Sequence, residues 1–188
     1  MSFQSLSFLA FLAVTLGVCL PLGRRNLRWG QAALTLFCLA FYVLGGGWTA
    51  LLVLLAGAVV TVAVRYLTSG GKTEKQRRAA AAVAIVWHVA VLLVFKYTGF
   101  FTGGAVDLGW APLGLSFFTF QQIWCIKEVY TGAFRPESTW SFLLYDFFFP
   151  SVTSGPILKP ENFFPQLTEG RFLHPTWEDA AAGVYAIA

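Results

Sequence analysis

Long apolar runs separated by short basic loops constrain this chain more than any other feature of its sequence. A helix needs about 20 apolar residues to cross the hydrocarbon of a bilayer. On that criterion the sequence predicts spans over residues 3–20, 29–45, 48–67, 79–97, 110–130 and 140–156. Only 12% of the 188 residues are charged, about half the share found in soluble domains. We therefore expect an all-α, multi-pass helical bundle that sits in a lipid bilayer.

The basic loops predict how this bundle is oriented. Arg24, Arg25 and Arg28 follow the first apolar run, and Lys and Arg cluster again within residues 72–78. Loops of this kind face the cytoplasm, so we expect the N-terminus outside and the uncharged glycines at 45–47 in an outer turn. The 72–78 cluster is interpreted first as a topology determinant. Its alternative role is binding of an acidic partner or of anionic lipid headgroups.

The three cysteines do not form a metal or redox motif. Cys19, Cys38 and Cys125 each lie within an apolar run and lack the Cys-x-x-Cys spacing. They are predicted to be small, buried, hydrophobic residues. The sequence also carries no signature of nucleic-acid binding, so we expect no nucleic-acid partner, no metal and no bound cofactor.

Two stretches carry polar residues and helix-breaking residues to membrane depth. The first, residues 111–122, contains Pro112, Gly114 and Ser116 and ends in Gln121 and Gln122. The second, residues 147–160, contains the Gly155-Pro156 pair. Irregular backbone at membrane depth is tolerated where protein buries it or a water-filled cavity solvates it. We expect broken or re-entrant helices that line a cavity, and ordinary proline-kinked helices are the alternative.

Ionisable residues inside the predicted spans are the next candidates for function. His88 lies near the middle of the fourth span, although one interhelical hydrogen bond would satisfy it, which favours a packing contact over catalysis. Lys96 and Tyr97 end that span on its outer side, where orientation does not require a lysine.

The fifth span has a polar face. Gln121, Cys125 and Glu128 follow at i, i+4 and i+7 and so share one side of a helix, while Lys127 and Glu128 are also consistent with its interfacial end. In the sixth span, Asp146 lies in a cavity or caps a helix break, and both interpretations remain open.

The last part of the chain is predicted to leave the membrane core and then start a new helix. Residues 159–167 alternate aromatic and polar side chains between prolines, which is typical of a segment lying in the interface. Thr176 is a predicted N-cap with Asp179 three residues on. The helix that follows is apolar, and Ala188 falls within it. We therefore expect residues 1–188 to be the N-terminal portion of one longer transmembrane domain.

Four stretches resemble motifs of the membrane-bound O-acyltransferase (MBOAT) family. They are Arg25-Asn26-Leu27 with Phe41-Tyr42, Phe95-Lys96-Tyr97 with Phe100, residues 112–123 with Val129-Tyr130 and Gly132, and Phe148-Phe149-Pro150 with Gly155-Pro156-Ile157 and residues 163–167. The third stretch is the most specific. The resemblance is to the bacterial branch that contains alginate O-acetyltransferases and, more distantly, teichoic-acid D-alanine transferases. It implies that the protein lies in the plasma (bacterial inner) membrane. The chain departs from the family pattern at Trp124-Cys125, Lys127, Glu128 and Thr131, which leaves the substrate open.

The resemblance implies acyl transfer from a cytoplasmic thioester donor, acyl-CoA or an acyl carrier, to a glycan outside the membrane. The acyl group expected is acetyl, and an accessory acetylation protein and the rest of the domain are the expected partners. A buried histidine acts as general base in this family, but neither His88 nor His174 matches its position. We expect that histidine beyond Ala188, so the chain alone is predicted to be inactive. The substrate-path candidates are Lys96, Tyr97, Ser116, Gln121, Gln122, Glu128, Tyr130, Gly155 and Pro156, with His88 as a weaker candidate.

Two alternatives remain at this point. Within the same family, the chain would transfer D-alanine to teichoic acid. In a different class, it would be a non-enzymatic multi-pass membrane protein, either transporter-like or an assembly subunit, with a binding site at the bilayer midplane. Inverted repeats would favour that class, and residues 114–122 have no counterpart in the first half of the sequence.

Overall fold

The computed structural model describes residues 6–68, 71–106, 108, 111–133, 139–152 and 158–187, and within these ranges it contains helices and no strand. The helices are α1 (Leu6–Arg25), α2 (Leu27–Thr68), α3 (Glu74–Leu92), α4 (Thr98–Phe101), α5 (Leu115–Thr131), α6 (Thr139–Asp146), α7 (Phe149–Val152), α8 (Pro160–Thr168) and α9 (Trp177–Ile187). A π-helical turn, Leu93–Tyr97, joins α3 to α4, and a 3₁₀ turn, Arg171–Leu173, follows α8. The all-helical prediction is confirmed.

Three helical stretches are long and apolar enough to cross a membrane, namely Leu6–Arg25, Leu27–Val64 and Glu74–Phe101. The second is longer than one crossing requires, because 38 residues at about 1.5 Å each exceed a hydrocarbon core of about 30 Å. Gly47 interrupts it with a φ of 76° and a ψ of 177°. The break falls in the predicted glycine turn and leaves two arms, residues 27–46 and 48–68, each of which has the length of one crossing.

The fifth and sixth spans differ from their predicted bounds of 110–130 and 140–156. Helix α5 begins only at Leu115, after the Pro112–Gly114 turn, and has 17 residues. In the sixth region, α6 ends at Asp146, and α7 begins at Phe149 and has only four residues. Pro150 explains the break, because it has no N–H to donate to the carbonyl of Asp146 four residues earlier.

Aromatic residues of four helices form the main core. Phe41 of α2 stacks on Phe149 of α7 with 4.9 Å between ring centroids. Tyr42 packs edge-on against Phe147 at 5.6 Å, and Phe147 in turn lies 6.2 Å from Phe118 of α5. Both arms of α2 contribute to this cluster, since Phe41 and Tyr42 precede the Gly47 break and Leu54 and Ala58 follow it. The core therefore holds α5 and α7 against both arms.

The outer surface of the bundle is apolar. Leu9 of α1 and Val83 and Val86 of α3 each leave more than half of their surface exposed. In water, exposed apolar side chains in this number would form large hydrophobic patches that favour aggregation. On helices long enough to span a bilayer they are suited to contact with lipid, so the structure is that of a membrane protein. Cys19, Cys38 and Cys125 are buried and free, as predicted.

Helix α8 is amphipathic, and it covers most of the segment, residues 159–167, that is predicted to lie in the interface. Phe164 and Leu167 are buried, while Glu161, Asn162 and Gln166 are exposed. Two side chains tie this region to the ends of α1 and α2, because Gln31 Nε2 donates to the carbonyl oxygen of Leu167 at 3.0 Å and Arg24 Nε donates to that of Leu173 at 3.3 Å.

Candidate functional site

The turn before α5 determines where its polar face begins. Gly114 has a φ of 73°, a left-handed conformation that glycine adopts without strain. The N–H of Leu115 donates to the carbonyl oxygen of Pro112 at 3.1 Å, and that of Phe118 donates to the carbonyl oxygen of Gly114 at 2.9 Å. Leu113 packs so closely on Gly45 that a Cβ there would lie 2.8 Å from Leu113 Cδ2. The start of α5 therefore lies beside the Gly45–Gly47 turn.

Three predicted site residues from two separate motifs come together at this end of α5. Lys96 Nζ donates a hydrogen bond to Ser116 Oγ at 3.0 Å, although 20 residues separate them. The Lys96 ammonium also lies 5.7 Å from the centroid of the Tyr97 ring. Lys96 and Tyr97 belong to the π-helical turn, and such turns are frequent at functional sites. Both Lys96 and Tyr97 are exposed, so this end presents a cation and a hydroxyl to its surroundings.

The middle of α5 binds the end of α6. Gln121 Nε2 donates to the carbonyl oxygen of Tyr145 at 2.9 Å, and Gln122 Nε2 donates to Asp146 Oδ1 at 2.8 Å. The carbonyl groups in the last turn of a helix lack partners within it, so Gln121 satisfies one of them where α6 breaks. Both glutamines are almost fully buried. In the described part of the chain they hold two helices together and do not line an open cavity.

Glu128 and Tyr130 lie at the opposite end of α5, about 20 Å from Ser116 along the helix axis. Glu128 Oε1 accepts a hydrogen bond from Lys127 Nζ at 2.9 Å. Tyr130 Oη donates to Glu74 Oε1 at 2.5 Å, and Arg77 Nη2 donates to the carbonyl oxygen of Tyr130 at 2.5 Å. These contacts join α5 to the first turn of α3.

Sequence reasoning missed the role of Glu74 and Arg77 in these contacts. The local signal was present, because Thr73 and Gln76 form a capping box that starts α3. That box places residue 74 in the first turn, where a carboxylate favours the helix dipole. Its pairing with Tyr130, 56 residues later, depends on how α3 and α5 pack.

Trp124 adds an aromatic surface near that end. Lys127 Nζ lies 4.8 Å from the centroid of its indole ring, and Lys159 Nζ lies 5.7 Å away. Ammonium groups at these distances are attracted to the face of an aromatic ring. The two lysines therefore hold positive charge beside Trp124, on a part of α5 that departs from the family pattern.

His88 has the interhelical hydrogen bond that favours a packing role. Its Nε2 lies 3.0 Å from Thr61 Oγ1 of α2, and its ring is almost fully buried, 6.1 Å from the Phe118 ring. Gly57 makes room for it, because a Cβ at that position would lie 3.1 Å from His88 Cε1. Of the remaining candidates, Gly155 and Pro156 lie outside the described residues.

Two further cavities lie away from α5. An apolar groove of about 270 Å³ runs between α1, α2, α7 and α8, with Leu12, Cys19 and Phe163 among its lining residues. A more polar cavity of about 600 Å³ lies between the end of α8 and the start of α9, and it contains Arg171, His174 and Asp179. Among the residues that the structure describes, neither cavity is lined by a predicted substrate-path residue.

Comparison with known proteins gives a partial likeness. The chain is 33% identical over 94 residues to a teichoic acid D-alanyltransferase of Lacticaseibacillus rhamnosus. The match covers 50% of this chain and 22% of that relative, so the chain spans only about a fifth of the relative's length. No family model matches the chain, and no solved structure matches it. The similarity is to the more distant of the two enzyme groups that the motifs resemble.

Proposed function

We propose that this chain forms part of a membrane-bound O-acyltransferase, which moves an acyl group from a thioester to a hydroxyl of a cell-surface polysaccharide. The observation that carries the proposal is the 94-residue similarity to a teichoic acid D-alanyltransferase. The name of that relative favours D-alanyl as the acyl group and teichoic acid as the acceptor. Acetyl transfer to an exopolysaccharide, which the alginate-like motifs suggest, is the second candidate.

The two ends of α5 support the proposal that the two substrates bind on opposite sides of the membrane. If the basic loops face the cytoplasm, the Lys96–Ser116 pair lies at the outer end, beside the glycine turn. The Trp124–Lys127–Lys159 surface then lies toward the cytoplasmic side. In this proposal the outer pair meets the glycan, because its ammonium and hydroxyl suit hydroxyl and anionic groups. The inner surface, with its two lysines, meets the thioester donor, whose carrier arm bears phosphate.

The chemistry requires a base that takes the proton of the acceptor hydroxyl while its oxygen attacks the thioester carbonyl. The carbon–sulfur bond then breaks, and the thiolate leaves and is protonated. His88 is already bonded to Thr61 and buried, and His174 lies in the cavity next to α9. We therefore assign the base to a part of the enzyme outside this chain, and we assign positioning roles to Lys96 and Ser116.

A transfer assay tests this proposal. The full reading frame would be expressed in membranes and supplied with labelled D-alanyl or acetyl thioester and with teichoic acid or alginate, and labelled ester on the polymer would be measured. We expect transfer by the full protein and none by residues 1–188 alone. Lys96→Met should lower kcat/KM about tenfold, which corresponds to about 1.4 kcal/mol, the scale of one hydrogen bond from a charged donor.

Lys72→Met is the matched control, because it removes an exposed lysine from the basic loop and should leave transfer unchanged. Absence of labelled ester with every donor and acceptor, from full protein that is present in the membrane, would overturn the enzyme proposal. The non-enzymatic membrane protein would then take its place.

A further inference from the structure

The carboxyl group of Asp146 is fully buried and is only half satisfied. Its Oδ1 accepts the hydrogen bond from Gln122 Nε2 at 2.8 Å. Its Oδ2 has no hydrogen-bond partner, and Gln122 Oε1, on the same amide, has none either. Asp146 and Gln122 are both 0% exposed. Two acceptor oxygens of one bonded pair are thus left without a donor.

Among the side chains that the structure describes, no cation pairs with Asp146. The ion pairs among the described residues are Arg77–Glu74, Lys127–Glu128 and Arg171–Glu169. The titratable groups that face this region are Cys38 and Tyr42 on α2, Cys125 and Glu128 on α5, Tyr145 on α6 and Glu161 on α8. None of them carries positive charge. An ionised carboxylate without a partner is so costly to bury that such groups take up a proton instead.

We propose that Asp146 and Gln122 form a proton-binding site. Asp146 carries a proton on Oδ2 and donates it in a hydrogen bond to Gln122 Oε1. Together with the bond from Gln122 Nε2 to Oδ1, this makes a reciprocal acid–amide pair. One added proton supplies a partner to both orphaned oxygens and removes the uncompensated charge.

The proton would also help to hold α6 against α5. The acid–amide pair lies one residue along from the bond between Gln121 and the Tyr145 carbonyl, so four side-chain and backbone groups would hold the broken end of α6 against α5. Loss of the proton would leave Asp146 Oδ2 and Gln122 Oε1 as two acceptors with no hydrogen between them, and it would weaken that contact. This inference stands on the contacts of Asp146 and is independent of the proposed acyl transfer.

Asparagine at position 146 provides the decisive variant. In Asp146→Asn the side-chain amide can donate to Gln122 Oε1 and accept from Gln122 Nε2, so it reproduces both bonds of a protonated acid. We expect Asp146→Asn to unfold at close to the wild-type temperature in membranes or detergent. Asp146→Ala leaves both polar groups of Gln122 buried without partners and should unfold at a clearly lower temperature.

Infrared spectroscopy of the full protein gives an independent readout. At neutral pH the wild type should show the C=O stretching band of a protonated carboxyl, and Asp146→Asn should lack it. Gln122→Leu should shift the band to higher frequency, because both hydrogen bonds to the acid are lost. Asp179→Asn is the matched control, since Asp179 is exposed, and it should leave the band unchanged.

Three results would overturn the proposal. The first is a wild-type spectrum with no band that Asp146→Asn removes. The second is an Asp146→Asn variant that is as destabilised as Asp146→Ala. The third is stabilisation by added sodium, potassium or magnesium in the wild type and not in Asp146→Asn. That result would assign the site to a metal cation, with Tyr42 Oη and Thr119 Oγ1, which also lack partners, as further oxygen ligands.

Discussion

The contact between Gly23 of α1 and Gly30 of α2 allows a direct test of how these two helices pack. A Cβ built on Gly30 would lie 2.5 Å from Gly23 Cα and 3.1 Å from Gly23 N. Both obstacles are backbone atoms, so no rotation of a side chain can relieve them. Small residues let helices in membranes approach closely and gain van der Waals contact. Gly30→Ala should therefore push α1 and α2 apart.

The size of the effect follows from these distances. Ordinary carbon contacts begin at 3.4 Å, so the new methyl group is about 0.9 Å too close. If the helices separate to relieve this clash, a gap of about 0.5–1 Å opens between them. Such a gap removes a quarter to a half of the dispersion attraction between the facing atoms. Overpacking typically costs about 1–3 kcal/mol. Because the obstacle here is backbone, we expect the clash to lower the free energy of unfolding by about 2–3 kcal/mol.

Gly17→Ala is the matched control. Gly17 also lies inside α1, and a Cβ there meets nothing within 4 Å. Alanine is about 1 kcal/mol better than glycine inside a helix, and both variants receive that gain. The difference between them therefore isolates the clash. In a chain of this size, each kcal/mol of unfolding free energy shifts the thermal unfolding midpoint by about 2–4 °C. Gly30→Ala should therefore unfold about 4–12 °C below Gly17→Ala.

Thermal unfolding of the full chain in one detergent, followed by circular dichroism, measures this difference. Equal melting temperatures for the two variants would refute the close packing of α1 on α2. A Gly17→Ala variant that is strongly destabilised would contradict the open space that surrounds Gly17.

Two further predictions concern hydrogen bonds made by side chains. Thr61→Val should cost about 1–3 kcal/mol, because it leaves His88 Nε2 buried without a partner. Thr15→Val is its control, since Thr15 Oγ1 bonds only a carbonyl of its own helix, and equal loss in both variants would refute a special role for the His88 contact. At the start of α9, hydrogen bonds from the backbone N–H and then the hydroxyl of Thr176 lower the pKa of Asp179. A lowered pKa means that the bonds stabilise the protein above the unfolded pKa of about 3.9 and are lost as pH falls through the folded value. The wild type should thus be more stable than Asp179→Ala at neutral pH, with the gap closing in acid, and a gap that persists there would contradict this reading.

Local features of the fold could be predicted from the sequence because they depend on neighbouring residues. The apolar runs predicted the long helices, and the triple glycine predicted a turn where the helix breaks at Gly47. The Thr176 cap is present, with Thr176 Oγ1 accepting from the Asp179 N–H at 3.1 Å and Asp179 Oδ2 accepting from the Thr176 N–H at 2.8 Å. The alternation in residues 159–167 predicted an interfacial segment, and most of these residues form the amphipathic helix α8. Residues 147–160 were expected to interrupt the sixth span, and α6 does end at Asp146, ahead of Pro150, which has no N–H to donate.

The partners of the site residues could not be predicted, because they depend on packing between distant helices. An amide such as that of Gln122 can donate and accept in several directions, and the sequence does not say which carbonyl or carboxylate will face it. The bond between Lys96 and Ser116 needs the turn at Gly114 and the π-helical turn together. For Asp146, a cavity and a cap were both open, and the structure places it in neither: it is buried against Gln122.

These contacts separate the polar residues of α5 into those that are engaged and those that are accessible. The side chains of Gln121 and Gln122 donate hydrogen bonds to α6 and are almost fully buried. A substrate could therefore reach them only if α6 moved away. Lys96 is exposed at one end of α5, and Lys127 is exposed at the other. A path along α5 would therefore be open at its ends and closed in its middle, with the Asp146–Gln122 pair as part of the closure. Any substrate-driven opening must break the two glutamine bonds, so variants at Gln121 and Gln122 should change access to the path and not the binding of substrates at its ends.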